Sequence, residues 1–135
     1  MKISVVSPVY GAEKIVPELV RRIKSVLERI TQEYEIVLIE DGSPDKSWEA
    51  IELACKKHTE VIGIKLSRNF GQHYAITAGI EKSTGDVIVL MDCDLQDQPE
   101  EITKLLSKSK EGYEIVVASR RNRQNIMLWV IKYRF

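Results

Sequence analysis

Short β-branched apolar runs alternate along the chain with segments whose apolar residues recur every three to four positions. Lys2 to Pro8 holds the run I-S-V-V-S before Pro8 stops it, and Tyr34 to Glu40 reads Y-E-I-V-L-I-E ahead of Asp41-Gly42. Both predict buried strands. Between them Val16, Leu19, Val20, Ile23, Val26, Leu27 and Ile30 predict a helix from about Val16 to Thr31 with one buried face. Pro17 suits its first turn, where no N–H is missed. The alternation repeats as a helix over Ser47 to Lys57 after the capping-type residues Ser43 and Asp45, then a strand over Val61 to Leu66. Gln72 to Lys82 predicts a third helix, Val87 to Met91 a fourth and very apolar strand, Pro99 to Lys108 a fourth helix and Tyr113 to Ser119 a fifth strand.

Strands and helices alternating at such short intervals pair through right-handed crossovers, which predicts an α/β fold whose parallel sheet is covered on both faces. Ligands of open sheets of this kind sit beyond the carboxyl ends of the strands, where the strand order reverses. The loops beginning at Pro8, Asp41, Ser67, Asp92 and Ser119 are therefore the places to look for chemistry.

Composition narrows the class. At 135 residues, with 44% hydrophobic and 30% charged residues, the chain suits one globular domain and not a disordered or collagenous one. Twenty Lys plus Arg balance twenty Asp plus Glu, so no overall field draws the chain to nucleic acid, and any anion site is local. The longest apolar run, Ile126 to Ile131, is far below the ~20 residues of a membrane-spanning helix, and no basic-then-apolar signal opens the chain. The expectation is a cytoplasmic location. Cys55 and Cys93 form neither a disulfide framework nor a metal knuckle, which suits a reducing compartment.

The loop after the fourth strand reads D-C-D-L-Q-D. Asp92 and Asp94, two apart on an extended segment, point the same way and can converge on one object. Partly shielded like charges call for a cation or for donor hydroxyls, and magnesium or manganese with oxygen ligands meets that need and bridges to a diphosphate. An acidic solvated loop, with Asp97 capping the next helix, is the competing reading. In the first loop, S-P-V-Y-G-A-E, Tyr10 can offer a flat face to a nucleobase while Gly11 allows a tight turn, or it is an ordinary rim aromatic. No G-x-G-x-x-G or P-loop pattern is present. Asp41 can accept a hydrogen bond from a base imide N–H, because Gly42 and Pro44 already serve the turn. Arg68 is expected on the same rim. His73 and Tyr74 read as packing or capping residues. Arg120, Arg121 and Arg123 cluster after the fifth strand, either as forked phosphate ligands or as an exposed basic turn.

Taken together, S-P-V-Y-G-A-E, E-D-G-S-P-D, R-N-F-G-Q-H-Y-A-I-T-A-G and T-G-D-V-I-V-L-M-D-C-D-L-Q-D-Q-P-E-E resemble family 2 glycosyltransferases with the GT-A fold. The stretch from Arg68 to Gly79 is most similar to the branch that transfers sugars to polyprenyl phosphates such as dolichyl and undecaprenyl phosphate. The resemblance implies a mostly parallel, Rossmann-like sheet and a nucleotide-sugar donor, with a UDP-sugar favoured. It implies that Pro8, Val9, Tyr10 and Glu13 line the nucleotide, that Asp41 meets the base with Arg68 nearby, that Asp92 touches the ribose, and that Asp94 holds a Mg or Mn ion. Arg120 and Arg123 match basic residues that handle phosphate and are the implied catalytic residues. Cys93 stands where a small residue is usual, and Gln98 replaces the first of two prolines. The resemblance implies that residues 1–135 form the nucleotide-sugar-binding part of a GT-A domain, that family members carry the acceptor half further along their chains, and that the full-length protein works at the inner face of a membrane.

The reaction implied is attack on the anomeric carbon with inversion, onto a polyprenyl phosphate or a polysaccharide precursor. A lipid phosphate is largely ionised near neutral pH and demands no strong base. The rivals are a non-catalytic nucleotide-sugar-binding module and an aspartyl-nucleophile phosphatase, although D-C-D lacks the glycine and threonine expected of the latter. Asn125 to Phe135 reads N-I-M-L-W-V-I-K-Y-R-F, which suits a membrane interface, docking against a further half domain, or a last helix closing this core. The expectation is a segment poorly packed on its own chain, driving self-association or lipid contact.

Overall fold

In the computed structural model, which describes residues 1–118 and 129–132, the alternation becomes β1 (Ile3–Val9), α1 (Val16–Leu27), β2 (Tyr34–Glu40), α2 (Ser47–Lys57), β3 (Val61–Lys65), α3 (Gln72–Lys82) and β4 (Val87–Leu90). A single 3₁₀ turn at Pro99–Glu101 leads into α4 (Ile102–Lys110), followed by β5 (Ile115–Val117) and β6 (Trp129–Lys132). Among the described residues the strands form one sheet in the order β3-β2-β1-β4-β6-β5. The first four pair in parallel, as α/β alternation requires.

Strand residues alternate between two apolar cores because successive side chains point to opposite faces. Ile3, Val5 and Val9 of β1 join the core built with α1, α2 and α4, whereas Val6 joins Val37, Ile39, Ile88 and Leu90 against Ala75 of α3. Every residue of β1 is buried, as expected of a strand covered on both sides. The chain steps from β1 to β2 to β3 and then returns across the sheet, through α3, to β4 on the far side of β1. The strand order therefore reverses between β1 and β4.

Pro8 lies within β1 and does not end it. The Val6 carbonyl accepts the Met91 N–H and the Val9 carbonyl accepts the Asp41 N–H, so even-numbered residues of β1 address β4 and odd-numbered ones address β2. The Pro8 nitrogen thus faces the β4 side just where β4 has ended at Leu90, and no ladder bond is lost. The chains part there, and a crevice opens.

The end of the sheet departs from the sequence-based expectation. β6 runs antiparallel between β4 and β5, with Val87 opposite Lys132 and Ile115 opposite Ile131. The sheet is thus mostly parallel, and part of the segment expected to be poorly packed is one of its inner strands, with Val130 fully buried. The physical reason is that W-V-I-K is a β-branched and aromatic run suited to a pleated surface, and it satisfies backbone groups along the free edge of β4. The remainder of Asn125 to Phe135 lies outside the described residues. Helix α1 stops at Leu27 instead of Thr31, continuing as turns in which the Ile30 and Thr31 N–H groups donate to the Leu27 carbonyl. Gln98, not Asp97, holds the cap position of the 3₁₀ turn, and the Gln98 side chain makes no capping hydrogen bond.

At the amino end of the sheet the buried Glu35 carboxylate binds three segments together. It accepts hydrogen bonds from Ser4 Oγ at 2.6 Å, from the Thr84 N–H at 2.6 Å and from Thr84 Oγ at 3.0 Å, and the Lys2 ammonium lies 3.2 Å away. Burial alone would raise this carboxyl, but those donors outweigh it and hold the group below its ordinary value.

Candidate active site

The crevice between β1 and β4 is a cleft of about 370 Å³, within the size range of small-molecule sites. Four loops line it: Pro8, Val9 and Tyr10 from β1, Asp41 from the end of β2, Asn69, Gly71 and Gln72 from the entry to α3, and Asp92, Cys93 and Asp94 after β4.

Tyr10 stands on the rim, 54% exposed, on a turn that Gly11 makes with φ +61°. Three hydrogen bonds fix that turn: the Gly11 N–H to Ser43 Oγ at 3.0 Å, the Ala12 N–H to Ser47 Oγ at 2.8 Å and the Glu13 N–H to Asp45 Oδ2 at 3.3 Å. Ser43 and Asp45 were expected to cap α2. Asp45 does accept the Ser47 N–H at 3.1 Å, but Ser43 serves the Tyr10 turn instead. The β1 and β2 loops are thereby laced into one wall. Glu13 is half-buried beside that wall and is not among the residues lining the cleft.

Asp41 is buried, with its own N–H donated to Val9 and its Oδ1 accepting the Phe70 N–H at 2.9 Å. It holds the β3–α3 loop against the cleft as well as lining it. Arg68 was expected to face the crevice, but it is exposed and its guanidinium lies 4.6 Å from the centre of the Phe70 ring. The cation is drawn to the ring face, and Asn69 takes the place beside the cleft. His73 and Tyr74 are exposed and so do not pack into the core; the Tyr74 ring instead meets Phe70 at 6.4 Å.

Asp92 and Asp94 share the opposite wall. Burial, reinforced by the charges of Asp94 and Asp97, pushes the Asp92 carboxyl up to about 6, while a hydrogen bond from Gln72 Nε2 to its Oδ1 at 2.9 Å works against the rise. Asp94 is exposed, and its Oδ1 accepts the Gln96 N–H at 3.0 Å across Leu95. Leu95 has φ +62°, an uncommon conformation for leucine that stores backbone strain beside the two aspartates. Burial also raises the Cys93 thiol above its ordinary value, with the neighbouring Tyr10 N–H opposing the rise.

The donor set fits a hard divalent ion in one particular way. Asp92 and Asp94 offer carboxylate oxygens, and among the described residues neither takes part in an ion pair. Among those residues no group of three or more His, Cys, Asp or Glu side chains is arranged to hold an ion. Two carboxylates suit magnesium or manganese, which keep water ligands and take further oxygens from phosphates. Arg120, Arg121 and Arg123 lie outside the described residues.

Asn69, Gly71, Gln72 and Cys93 were not singled out as cleft residues from the sequence. The signal for Gln72 was its position directly after Gly71 at the mouth of a helix on the ligand side of the sheet.

Comparison with known proteins matches the family described as Glycosyl transferase family 2 over residues 4–129. The mannosyltransferase PcManGT from Pyrobaculum calidifontis, solved with GDP-Man and Mn2+, superposes with a TM-score of 0.81 at 16% identity, over 96% of this chain and 44% of that one. Glucosyl-3-phosphoglycerate synthase from Mycobacterium tuberculosis, solved with Mn2+, UDP and phosphoglyceric acid, gives 0.75 at 15% identity, over 97% and 55%. S. aureus TarS 1-349 with UDP-GlcNAc gives 0.69 at 20% identity, over 93% and 37%. At these identities the likeness establishes the fold, and the chain spans about half or less of each of these structures.

Proposed function

The chain belongs to glycosyl transferase family 2, and from that premise we propose that residues 1–135 form the donor-binding part of a GT-A enzyme that transfers a sugar from a nucleoside diphosphate. The observation that carries this reading is the convergence of Tyr10, Asp41, Asp92 and Asp94 on one cleft at the reversal of strand order. The solved neighbours contain GDP-Man, UDP-GlcNAc or UDP, which supports a nucleotide-sugar donor.

Each residue placed at or beside the cleft has a task that its chemistry allows. Tyr10 offers a ring face to the base, with Pro8 and Val9 beneath it and Glu13 behind the same turn. Asp41 accepts the imide N–H of a uracil or guanine, and Arg68 sits at the outer rim. Asp92 accepts ribose hydroxyls, and Asp94, exposed beside it, is the residue to hold a Mg or Mn ion. The chemistry that such an ion supplies when bound is compensation of the charge on the departing diphosphate.

An acceptor oxygen then attacks the anomeric carbon from the face opposite the diphosphate, inverting its configuration. The acceptor proposed is a polyprenyl phosphate or a polysaccharide precursor. A phosphate acceptor arrives ionised, so the absence of an evident base among Tyr10, Asp41 and Asn69 is no obstacle. Arg120 and Arg123 are proposed to handle that phosphate, at the inner face of a membrane. No described helix is long and apolar enough to cross a membrane.

A non-catalytic nucleotide-sugar-binding role uses the same cleft. Radiolabelled sugar transfer from UDP- and GDP-sugars to short polyprenyl phosphates, run beside direct nucleotide binding, separates the two. Transfer supports the enzyme, binding without transfer supports the module, and the absence of both overturns the donor-cleft reading.

A further inference from the structure

Gln72 reaches across the cleft from the first residue of α3, and its Nε2 donates to Asp92 Oδ1 at 2.9 Å across twenty positions of sequence. Both residues line the cleft. Asp92 stands just past the end of β4, half-buried and facing the charges of Asp94 and Asp97. Like-charge repulsion favours rotamers that carry the Asp92 carboxylate away from those neighbours. The Gln72 amide opposes that rotation by holding one oxygen at the α3 wall.

The choice of a neutral donor matters. A lysine or arginine at this position would pair with Asp92 and cancel negative charge that a diphosphate-bound cation needs. An amide orients the carboxylate and leaves its charge in place. With Oδ1 occupied, Oδ2 is the oxygen left for a ligand hydroxyl.

We propose that Gln72 is a positioning residue, which fixes the Asp92 carboxylate in the cleft so that its second oxygen meets the donor. This rests on the donor-cleft reading and adds to it a residue that contacts neither base nor diphosphate. Gln72 acts through Asp92.

The test has two arms. In the free protein, the side-chain amide resonances of Gln72 are followed by nitrogen–proton NMR in wild type and in Asp92→Ala. A shift of both amide protons is expected; unmoved resonances overturn the contact. In the second arm, uridine and guanosine diphosphates with manganese are titrated calorimetrically into wild type, Gln72→Met and Gln72→Glu, each with a thermal melt. Loss of one hydrogen bond to a charged group predicts about tenfold weaker binding for Met. Binding should be weaker still for Glu, which repels Asp92. A purely structural Gln72 predicts shifted melting temperatures with unchanged affinity, the Glu variant melting no lower because a carboxylate in the first turn of a helix suits its dipole. Unchanged affinity in both variants overturns the inference alone. If wild type binds neither nucleotide, the donor-cleft reading falls and takes the inference with it.

Discussion

A β-carbon at Gly42 would stand against the backbone amide of Asn69 and 2.7 Å from the carbonyl carbon of Arg68. The loop after β2 therefore rests directly on the loop after β3, backbone to backbone, and Gly42 adopts φ +69° to make the fit. Gly42→Ala meets both a steric and a conformational penalty. It should cost roughly 2 to 4 kcal/mol of stability, read as a lowered urea midpoint with unchanged slope. An unshifted midpoint would mean that the two loops separate freely.

Asp41 serves that same junction from the side chain. Asp41→Ala leaves the Phe70 N–H without its acceptor, so stability should fall by about 1 to 3 kcal/mol. Nucleotide affinity should fall as well, and more for uridine than for cytidine diphosphate, since cytosine lacks the imide N–H. Equal losses for the two would assign Asp41 to the loop alone.

Asp92 trades stability for charge. Its carboxyl stands at about 6 against an ordinary 3.8, so the folded chain holds this proton to higher pH than the unfolded chain does. Stability then declines as pH rises from about 4 to 6, and the penalty is fully present above that window. Asp92→Asn should be the more stable protein at pH 7.5, by on the order of 1 kcal/mol after allowance for partial solvation. It should lose that advantage below pH 4 and bind nucleotide poorly. Denaturant melts at both pH values check the sign.

Glu35 predicts the opposite trend at the other end of the sheet. Its folded value lies below the ordinary 4.5, so its contribution is complete above that pH and is lost as pH falls below it. Glu35→Gln should destabilise by roughly 2 kcal/mol at pH 7 through weakened bonds to Ser4, Thr84 and Lys2. The gap between the two proteins should narrow in acid. A gap independent of pH would show that shape, not charge, is what Glu35 supplies.

The strand and helix pattern through α4 was legible because both periodicities are set by which side chains are buried, and that information is local. The position of β6 was not. W-V-I-K carries strand-forming residues, but which edge it joins depends on β4 having an unpaired side, a fact of topology and not of the segment. The cleft residues at strand ends, Tyr10, Asp41, Asp92 and Asp94, could be read because their loops follow buried runs. Arg68 stands over Phe70 and does not line the cleft, a choice between stacking and the crevice that sequence does not rank. Gln72 and Ser43 were invisible as partners because each acts across a long sequence separation, through a contact that only the folded sheet creates.

The most direct test of the donor cleft is calorimetric titration of uridine and guanosine diphosphates into wild type and Asp94→Asn, each with manganese and with chelator. Asp94 is exposed, and its loss should leave the fold intact. The account predicts that wild type binds one of the two tightly only with manganese, that chelation weakens it at least tenfold, and that Asp94→Asn binds weakly whether or not the metal is present. Identical isotherms for the two proteins in manganese would contradict it.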